Sequence, residues 1–454
     1  MKIQLSDHFT YRRLLRFAFP SVVMMVFTSI YGIVDGLFVS NFVGKTPFAA
    51  INLIMPILMI IGALGFMMGA GGTAIVSKTL GEGNKKLANR YFSLFVYFTA
   101  IMGAVLALLG VAFLRPLSRL LGAEGELLEC CVSYGRIVIS AMPVFMLQNL
   151  FQSFFVVAEK PKRGLFVTVI AGITNMALDA LFITAFDMGI EGAAIATAIS
   201  QTVGGVVPVF FFTGKSSGLI SLTSTSFYSK AILRAAINGS SELMSNISAS
   251  VVTMLYNYQL MKFEGENGIA AYGVIMYLSF TFVAMFIGYS VSTAPIIGFH
   301  YGANNKGELN NLLRKSATVT LSLGALMTVF SFSLSSMLSS VFVSYDSYLM
   351  QLTARGLRIF SLSFVFSGFS IFGSSFFTAL NNGPISAFIS FMRTLVYQAL
   401  GVIILPIFFD INGIWYSMLL AEILSILTTI ICIFALKNKY GYLKKVKFND
   451  KADV

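Results

Sequence analysis

Charge is scarce in this chain. Of 454 residues only 11% are Asp, Glu, Lys or Arg, against about a quarter in an ordinary soluble domain, which excludes a water-facing globular fold. Histidine occurs twice, at His8 and His300, and cysteine three times, as adjacent Cys130 and Cys131 and distant Cys432. So sparse a set supports no disulfide framework, zinc site or Cys/His nucleophile. The run G-x-x-x-x-G-K-[ST] is missing, which excludes work powered by nucleotide hydrolysis in this chain. The reading is a protein that is not an enzyme and needs no cofactor.

What fills the chain is apolar: 57% of residues are hydrophobic. Twelve runs are long enough to cross a bilayer, near 14–42, 48–76, 91–114, 132–157, 164–186, 190–213, 231–261, 269–298, 314–343, 351–380, 384–409 and 413–436. The expected fold is an all-α membrane protein. Basic residues sort by side: only Lys45, Arg115, Arg119, Arg136, Lys262, Arg355 and Arg358 fall on the odd-numbered connections and adjoining helix ends, while the rest of the 31 gather with the termini and even connections. The positive-inside rule then places both termini in the cytoplasm, in a multi-pass plasma (inner) membrane protein. The net charge of +12 is topological, spread over short loops, and implies no nucleic-acid partner. The opening "YRRLLRF" reads as the basic flank of a start helix, because the run behind it is too long for a signal peptide.

The chain repeats at an offset of about 220 residues. "LLRFAFPSVVMMV" at 14 corresponds to "ILRAAINGSSELM" at 232, "GTAIVSKTLGEGN" at 72 to "STAPIIGFHYGANN" at 292, and "GIEGAAIATAISQ" at 189 to "DINGIWYSMLLAE" at 410. The expected organisation is an N-terminal six-helix lobe over 1–213, a cytoplasmic linker over 214–230, a C-terminal six-helix lobe over 231–436 and a basic cytoplasmic tail over 437–454. Six is even, so the lobes keep one orientation, and two such pseudo-symmetric bundles can rock to open a cleft to either side.

Four acidic residues lie in the interior of the apolar runs: Asp35, Asp179, Glu242 and Glu422. An aspartate at the bilayer centre costs about 2.5 to 3.5 kcal/mol on insertion scales, so it marks a functional site by default. Thr168, Gly172, Asn175 and Asp179 fall at i, i+4, i+7 and i+11, one stripe of a 3.6-residue helix. In the next run Ala193, Thr197, Ser200 and Gly204 form a second small and polar stripe, offering Thr197 as an oxygen ligand. If Asp35, beside Gly32 and Gly36, shares a cavity with Asp179, the pair suits a proton, or Na+ held with the Asn175 carbonyl and the Thr197 hydroxyl. Each Asp can also be read as a helix-packing hydrogen-bond partner. The repeat places Thr253, Val396 and Leu400 at the matching positions, so the cation site belongs to the first half. Pro20 lacks an amide proton and makes the first span a place to bend.

With these residues in hand, the chain resembles the multidrug and toxic compound extrusion (MATE) family. The likeness rests on "P...VDGLFVSNFVG" from Pro20 to Gly44, "GEGN" at 81, "AEKPKRG" at 158, and "NMALDALFI" followed by "GIEGAAIATAISQ". It implies twelve helices in two bundles and efflux of cationic or amphipathic compounds in exchange for inward H+ or Na+. It also implies cation-coupling roles for Asp35, Asn175, Asp179, Thr197 and Tyr134, and a kink at Pro20. One departure stands out: members with a C-lobe sodium site carry acidic residues in the seventh and tenth spans, and the tenth span here has none.

A chamber for flat cations needs aromatic and Met surfaces, and the expected lining is Glu242, Tyr256, Tyr272, Met276, Phe280, Phe366 and Phe377, by dispersion and cation–π attraction. The expected partners are the bilayer and a small organic cation, bound by a monomer. A rival reading is a lipid-linked oligosaccharide flippase of the same wider superfamily, which would need Arg or Lys in the cleft for a diphosphate. Arg136, Arg355 and Arg358 read as near the outer ends and Arg393 as near the inner end, which argues against it. A receptor or channel without coupled exchange is a further alternative.

Overall fold

In lipid an unpaired backbone group has no water to bond, so uninterrupted apolar runs have one general solution, the helix. The structure, a computed structural model, describes residues 3–214 and 218–443; residues 215–217 of the expected linker and 444–454 of the expected tail lie outside the described residues. The first half holds α1 (Tyr11–Phe38), α2 (Lys45–Gly81), α3 (Lys85–Leu120), α4 (Gly125–Ser140), α5 (Met142–Val157), α6 (Pro161–Asp179) and α7 (Gly189–Thr213). The second holds α8 (Ser229–Gly302), α9 (Lys306–Ser333), α10 (Ser335–Val343), α11 (Ser347–Ser361), α12 (Phe364–Ala379), α13 (Gly383–Phe391) and α14 (Tyr397–Tyr440). π-helical turns follow α1, α6 and α13, at Val39–Val43, Ala180–Ala185 and Met392–Val396.

Among the described residues eight helical runs are long and apolar enough to cross a membrane, and the pairs α4–α5 and α11–α12, each bent by 52°, bring the number to ten. Two runs each hold two crossings. The 74 residues of α8 would make a rod of about 110 Å at about 1.5 Å per residue, far beyond a hydrocarbon core of about 30 Å. The backbone leaves the helical region at Gly265 (φ 58°) in α8 and at Asp410 (φ 48°) in α14. With those two breaks the described chain makes twelve crossings.

The duplication is written into the turns. Positive φ recurs in matched pairs about 220 residues apart: Gly44 with Gly265, Gly83 with Asn304, Glu159 with Asn381, and Asp187 with Asp410. Asn84 caps α3 by accepting from Leu87 N, and Asn305 caps α9 by accepting from Glu308 N. The same chemistry thus stops and starts equivalent helices in both halves.

Two buried clusters belong to single halves: Ile54, Leu114, Tyr134 and Ile183 pack within the first, and Tyr256, Ile275, Phe360 and Trp415 within the second. The other two clusters join the halves. Leu5, Phe9 and Phe17 pack with Ile297, Leu312 and Phe376, while Met68 and Phe151 share a core with Ala231 and Ala235. Leu5 and Tyr442 sit in one joining cluster, so the face bearing both chain ends is where the lobes fuse. Toward the opposite face they keep separate cores, and nothing stands within 4 Å of a Cβ placed on Gly32, Gly36 or Gly273.

Closure of the fused face depends on backbone contact. A Cβ on Gly81 would lie 2.0 Å from the Phe299 carbonyl oxygen, and one on Gly302 2.0 Å from that of Lys78. These four residues are two repeat-related pairs, so α2 and the last turns of α8 cross about the pseudo-two-fold axis. The segment before α1 is strapped across the same face: Leu5 N donates to Glu159 Oε1 (2.9 Å) and Phe9 N to Glu308 Oε1 (2.9 Å). His8 Nδ1 lies 2.6 Å from Glu308 Oε2, and Lys315 Nζ donates to the Phe9 carbonyl (2.7 Å).

Candidate cation site and central cleft

The first lobe gathers the polar residues of four helices. Gly172 of α6 lies against Phe27 and Tyr31 of α1, where a Cβ would stand 2.5 Å from Phe27 Cε1. This close approach brings the stripe carrying Thr168, Asn175 and Asp179 up to α1. Asp35 faces both Asp179 and Asn175. Tyr134, on α4, reaches Thr197 of α7 and lies within electrostatic range of both carboxylates. Asp179 (0% exposed) and Asn175 are buried, and Asp35 and Thr197 are half-buried.

Both Asp179 carboxylate oxygens, Asp35 Oδ1, Asn175 Oδ1 and Thr197 Oγ1 are buried without a hydrogen-bond partner. Leaving a buried polar group unpaired costs about 1 to 3 kcal/mol, more for a charged one, so such groups rarely cluster without a role. Here they are all hard oxygens, the chemistry that suits a proton or a small monovalent cation. Asp179 is also the last residue before a π-helical turn, a local irregularity frequent at functional sites. α1 runs on through Pro20 in a single helix, so the bend expected there is not a break in this state.

Two members of this neighbourhood escaped the sequence reading. Tyr31, one turn before Asp35, is close to that carboxylate and to Gln148, and Gln148 is buried with Oε1 unpaired. The available signal was the trio Gln148, Asn149 and Gln152 inside an otherwise apolar run. Their amides occupy the α5 face turned inward, and Gln152 Nε2 bonds Thr168 Oγ1 of the Asp179 stripe (3.4 Å).

The second lobe differs. Glu422 (0% exposed) is held by Arg393, with Nη2 at 2.7 Å and Nε at 2.9 Å from Oε1. Arg393 lies on the π-helical turn after α13, where the Glu422 carboxylate gives its guanidinium a partner. Glu242 of α8 is half-buried, without an ion pair among the described residues.

The expected cleft lining is corrected in three places. Tyr256 (1% exposed) and Tyr272 (4%) stack on each other at 4.7 Å inside the second-lobe core, and Tyr256 Oη pairs with Ser417 Oγ at 2.6 Å. Phe377 (0%) is packed into the cluster that joins the lobes. Helical spacing cannot separate a wall from a core when both are apolar. Glu242, Met276 and Phe366 remain half-buried and Phe280 exposed.

Two six-helix lobes, fused at one face and parted toward the other, with buried unpaired carboxylates in one of them, define a multi-pass helical membrane protein of duplicated build. The family model MatE matches residues 20–181 and 243–403, one stretch in each lobe. The chain belongs to the MatE family. It is 23% identical over 436 residues to the multidrug export protein MepA of Staphylococcus saprophyticus, with 94% of each chain covered. Against MepA of Staphylococcus aureus the identity is 22% over 440 residues, again with 94% of each covered. Among solved structures, an outward-facing multidrug resistance MATE family transporter of the MOP superfamily superposes with a TM-score of 0.88 at 21% identity, over 95% of this chain and 98% of that one. A MOP superfamily transporter from Pyrococcus furiosus gives 0.87 at 21% identity, over 97% and 98%.

Proposed function

We propose that the protein is a secondary active antiporter that exports cationic or amphipathic organic compounds in exchange for inward H+ or Na+. The observation that carries this reading is the set of unpaired buried oxygens on Asp35, Asp179, Asn175 and Thr197. Family membership and the export function named for the MepA relatives support the same direction. In this reading the protein acts as a monomer in the plasma membrane, and the strongly basic face that bears the chain ends is cytoplasmic. The lobes are fused on that face, so the cleft opens outward.

The chemistry follows from charge. Two carboxylates sharing a low-dielectric site repel each other, and each is poorly solvated. A proton or Na+ entering from outside removes both penalties and favours the state in which α1 packs closest to α6 and α7. The substrate departs as that happens, and the empty lobes then reopen inward. A gradient of about 150 mV contributes roughly 3.5 kcal/mol per charge, at about 2.3 per 100 mV, enough to bias such an equilibrium several hundredfold. Neither the pairing nor the charge balance of Arg393 with Glu422 leaves a free cation for a diphosphate, so the flippase reading gains no support there.

Transport of a fluorescent organic cation in proteoliposomes, under separately imposed proton and sodium gradients, tests the reading. Uphill movement should follow one gradient and collapse when it is dissipated. Downhill movement alone, indifferent to both gradients, would overturn it.

A further inference from the structure

A cavity of about 580 Å³ opens on the end-bearing face, where α2 and α3 of the first lobe meet the start of α8. This volume lies in the usual range for small-ligand sites, about 300 to 1,000 Å³. Its walls carry Lys78, Lys230 and Arg234, and the one acid among its lining residues, Glu82, is already matched by Lys78 at 3.6 Å. Lys230 and Arg234 are exposed, stand one turn apart on α8 and have no carboxylate partner among the described residues. Like charges at that spacing repel, so the arrangement favours an anion bound between them.

The flank of the cavity is apolar. Leu233 (62% exposed) and Ile237 (41%) lie one turn apart on α8, alongside Arg234, and Phe227 (76%) stands at the cavity edge. Cations within a pocket and bare apolar side chains beside it match an anionic amphiphile better than a soluble anion. Basic pockets between transmembrane helices are known hosts for acidic lipid headgroups.

The position gives the occupant a task. Asn381, also at the cavity, donates through Nδ2 to the Ala74 carbonyl of α2 (3.2 Å) and accepts from Asn238 Nδ2 of α8 (2.9 Å), a polar tie between the lobes. We propose that the cavity is a headgroup site for an anionic phospholipid. The phosphate sits between Lys230 and Arg234, the acyl chains run along Leu233 and Ile237, and the bound lipid holds the two lobes together at this face.

The test is native mass spectrometry of the full-length protein titrated with phosphatidylglycerol and with phosphatidylcholine. The wild type should retain one phosphatidylglycerol in preference to phosphatidylcholine. Lys230→Gln with Arg234→Gln should lower that preference by about thirtyfold, from about a factor of five or six per basic residue near an anionic headgroup. Arg234→Lys, which keeps the charge, should bind as the wild type, and so should Lys262→Gln, on the opposite face. Equal melting temperatures in phosphatidylcholine nanodiscs establish that the double variant is folded. Undiminished preference in the folded double variant overturns the site. Displacement of the lipid by millimolar inorganic phosphate would assign the pocket to a soluble phosphate ligand and overturn the lipid.

Discussion

Gly71 and Ala235 meet across the lobe boundary so closely that a Cβ on Gly71 would lie 1.8 Å from the Ala235 carbonyl oxygen. The contact is reciprocal, since a Cβ on Gly239 would lie 1.8 Å from the carbonyl oxygen of Met67. Small residues let helix backbones touch in lipid, where apolar side chains gain little by leaving the hydrocarbon. Seated this way, α2 and α8 meet backbone to backbone between the apolar clusters that join the lobes.

Gly71→Ala should therefore weaken closure of this face by about 1 to 3 kcal/mol, the usual penalty for overpacking. Electron–electron distances between labels on the two lobes at the opposite face should shift toward the population in which that face is closed. Gly273→Ala meets open space and serves as the control. Identical distance distributions in Gly71→Ala and wild type would show that the glycine contact does not set the equilibrium.

Asp179→Asn keeps the size and hydrogen-bonding capacity of the side chain and removes its charge. The protein should purify as a folded species, and gradient-driven efflux should fall at least to about a hundredth, since the proposed coupling acts through this charge. Wild-type efflux from the variant would remove Asp179 from the coupling role.

Labels near Gly44 and near Asp187 report the approach of α1 to the helices that carry Asp179 and Thr197. Their separation should respond to pH or Na+ in the wild type and stay constant in the double variant Asp35→Asn, Asp179→Asn. An ion response that survives both substitutions would sink the proposal that these two carboxylates are the switch.

Arg393 and Glu422 should behave as a compensated pair. Arg393→Met alone leaves a buried carboxylate without its partner and should destabilise the protein by about 3 to 5 kcal/mol, whereas adding Glu422→Met should recover most of the loss. Thermal unfolding in one detergent measures both. If the double variant is no more stable than the single one, the pair's importance extends beyond mutual neutralisation.

The strap ahead of α1 makes a separate prediction. Phe9 is fully buried in the cluster joining the lobes, and Phe9→Ala should destabilise by about 3 to 5 kcal/mol, as for other large-to-small core changes. Glu308→Gln keeps the side chain's shape but weakens its hold on His8 and Phe9 N, so it should release the strap to limited proteolysis with a smaller loss of stability. Resistance to cleavage equal to the wild type would mean that apolar packing alone holds the segment.

The sequence by itself determined the number of crossings, the duplication and the polar stripe of α6. Hydrocarbon leaves a spanning chain few choices besides the helix, and a period of 3.6 residues then places Thr168, Asn175 and Asp179 on one side. The repeated "GEGN" and "GANN" carry the matched caps at Asn84 and Asn305. Tertiary structure alone decided what each helix face meets. Apolar residues fit lipid, core and cleft equally well, so spacing could not show that Tyr256, Tyr272 and Phe377 are enclosed. Ion pairing follows depth and rotamer, which linear order does not carry, so the pairing of Arg393 with Glu422 could not be read from the sequence. Close backbone approach leaves no side-chain pattern, and for that reason the closure of one face at Gly71, Gly81, Gly239 and Gly302 emerged only when the two lobes were set together.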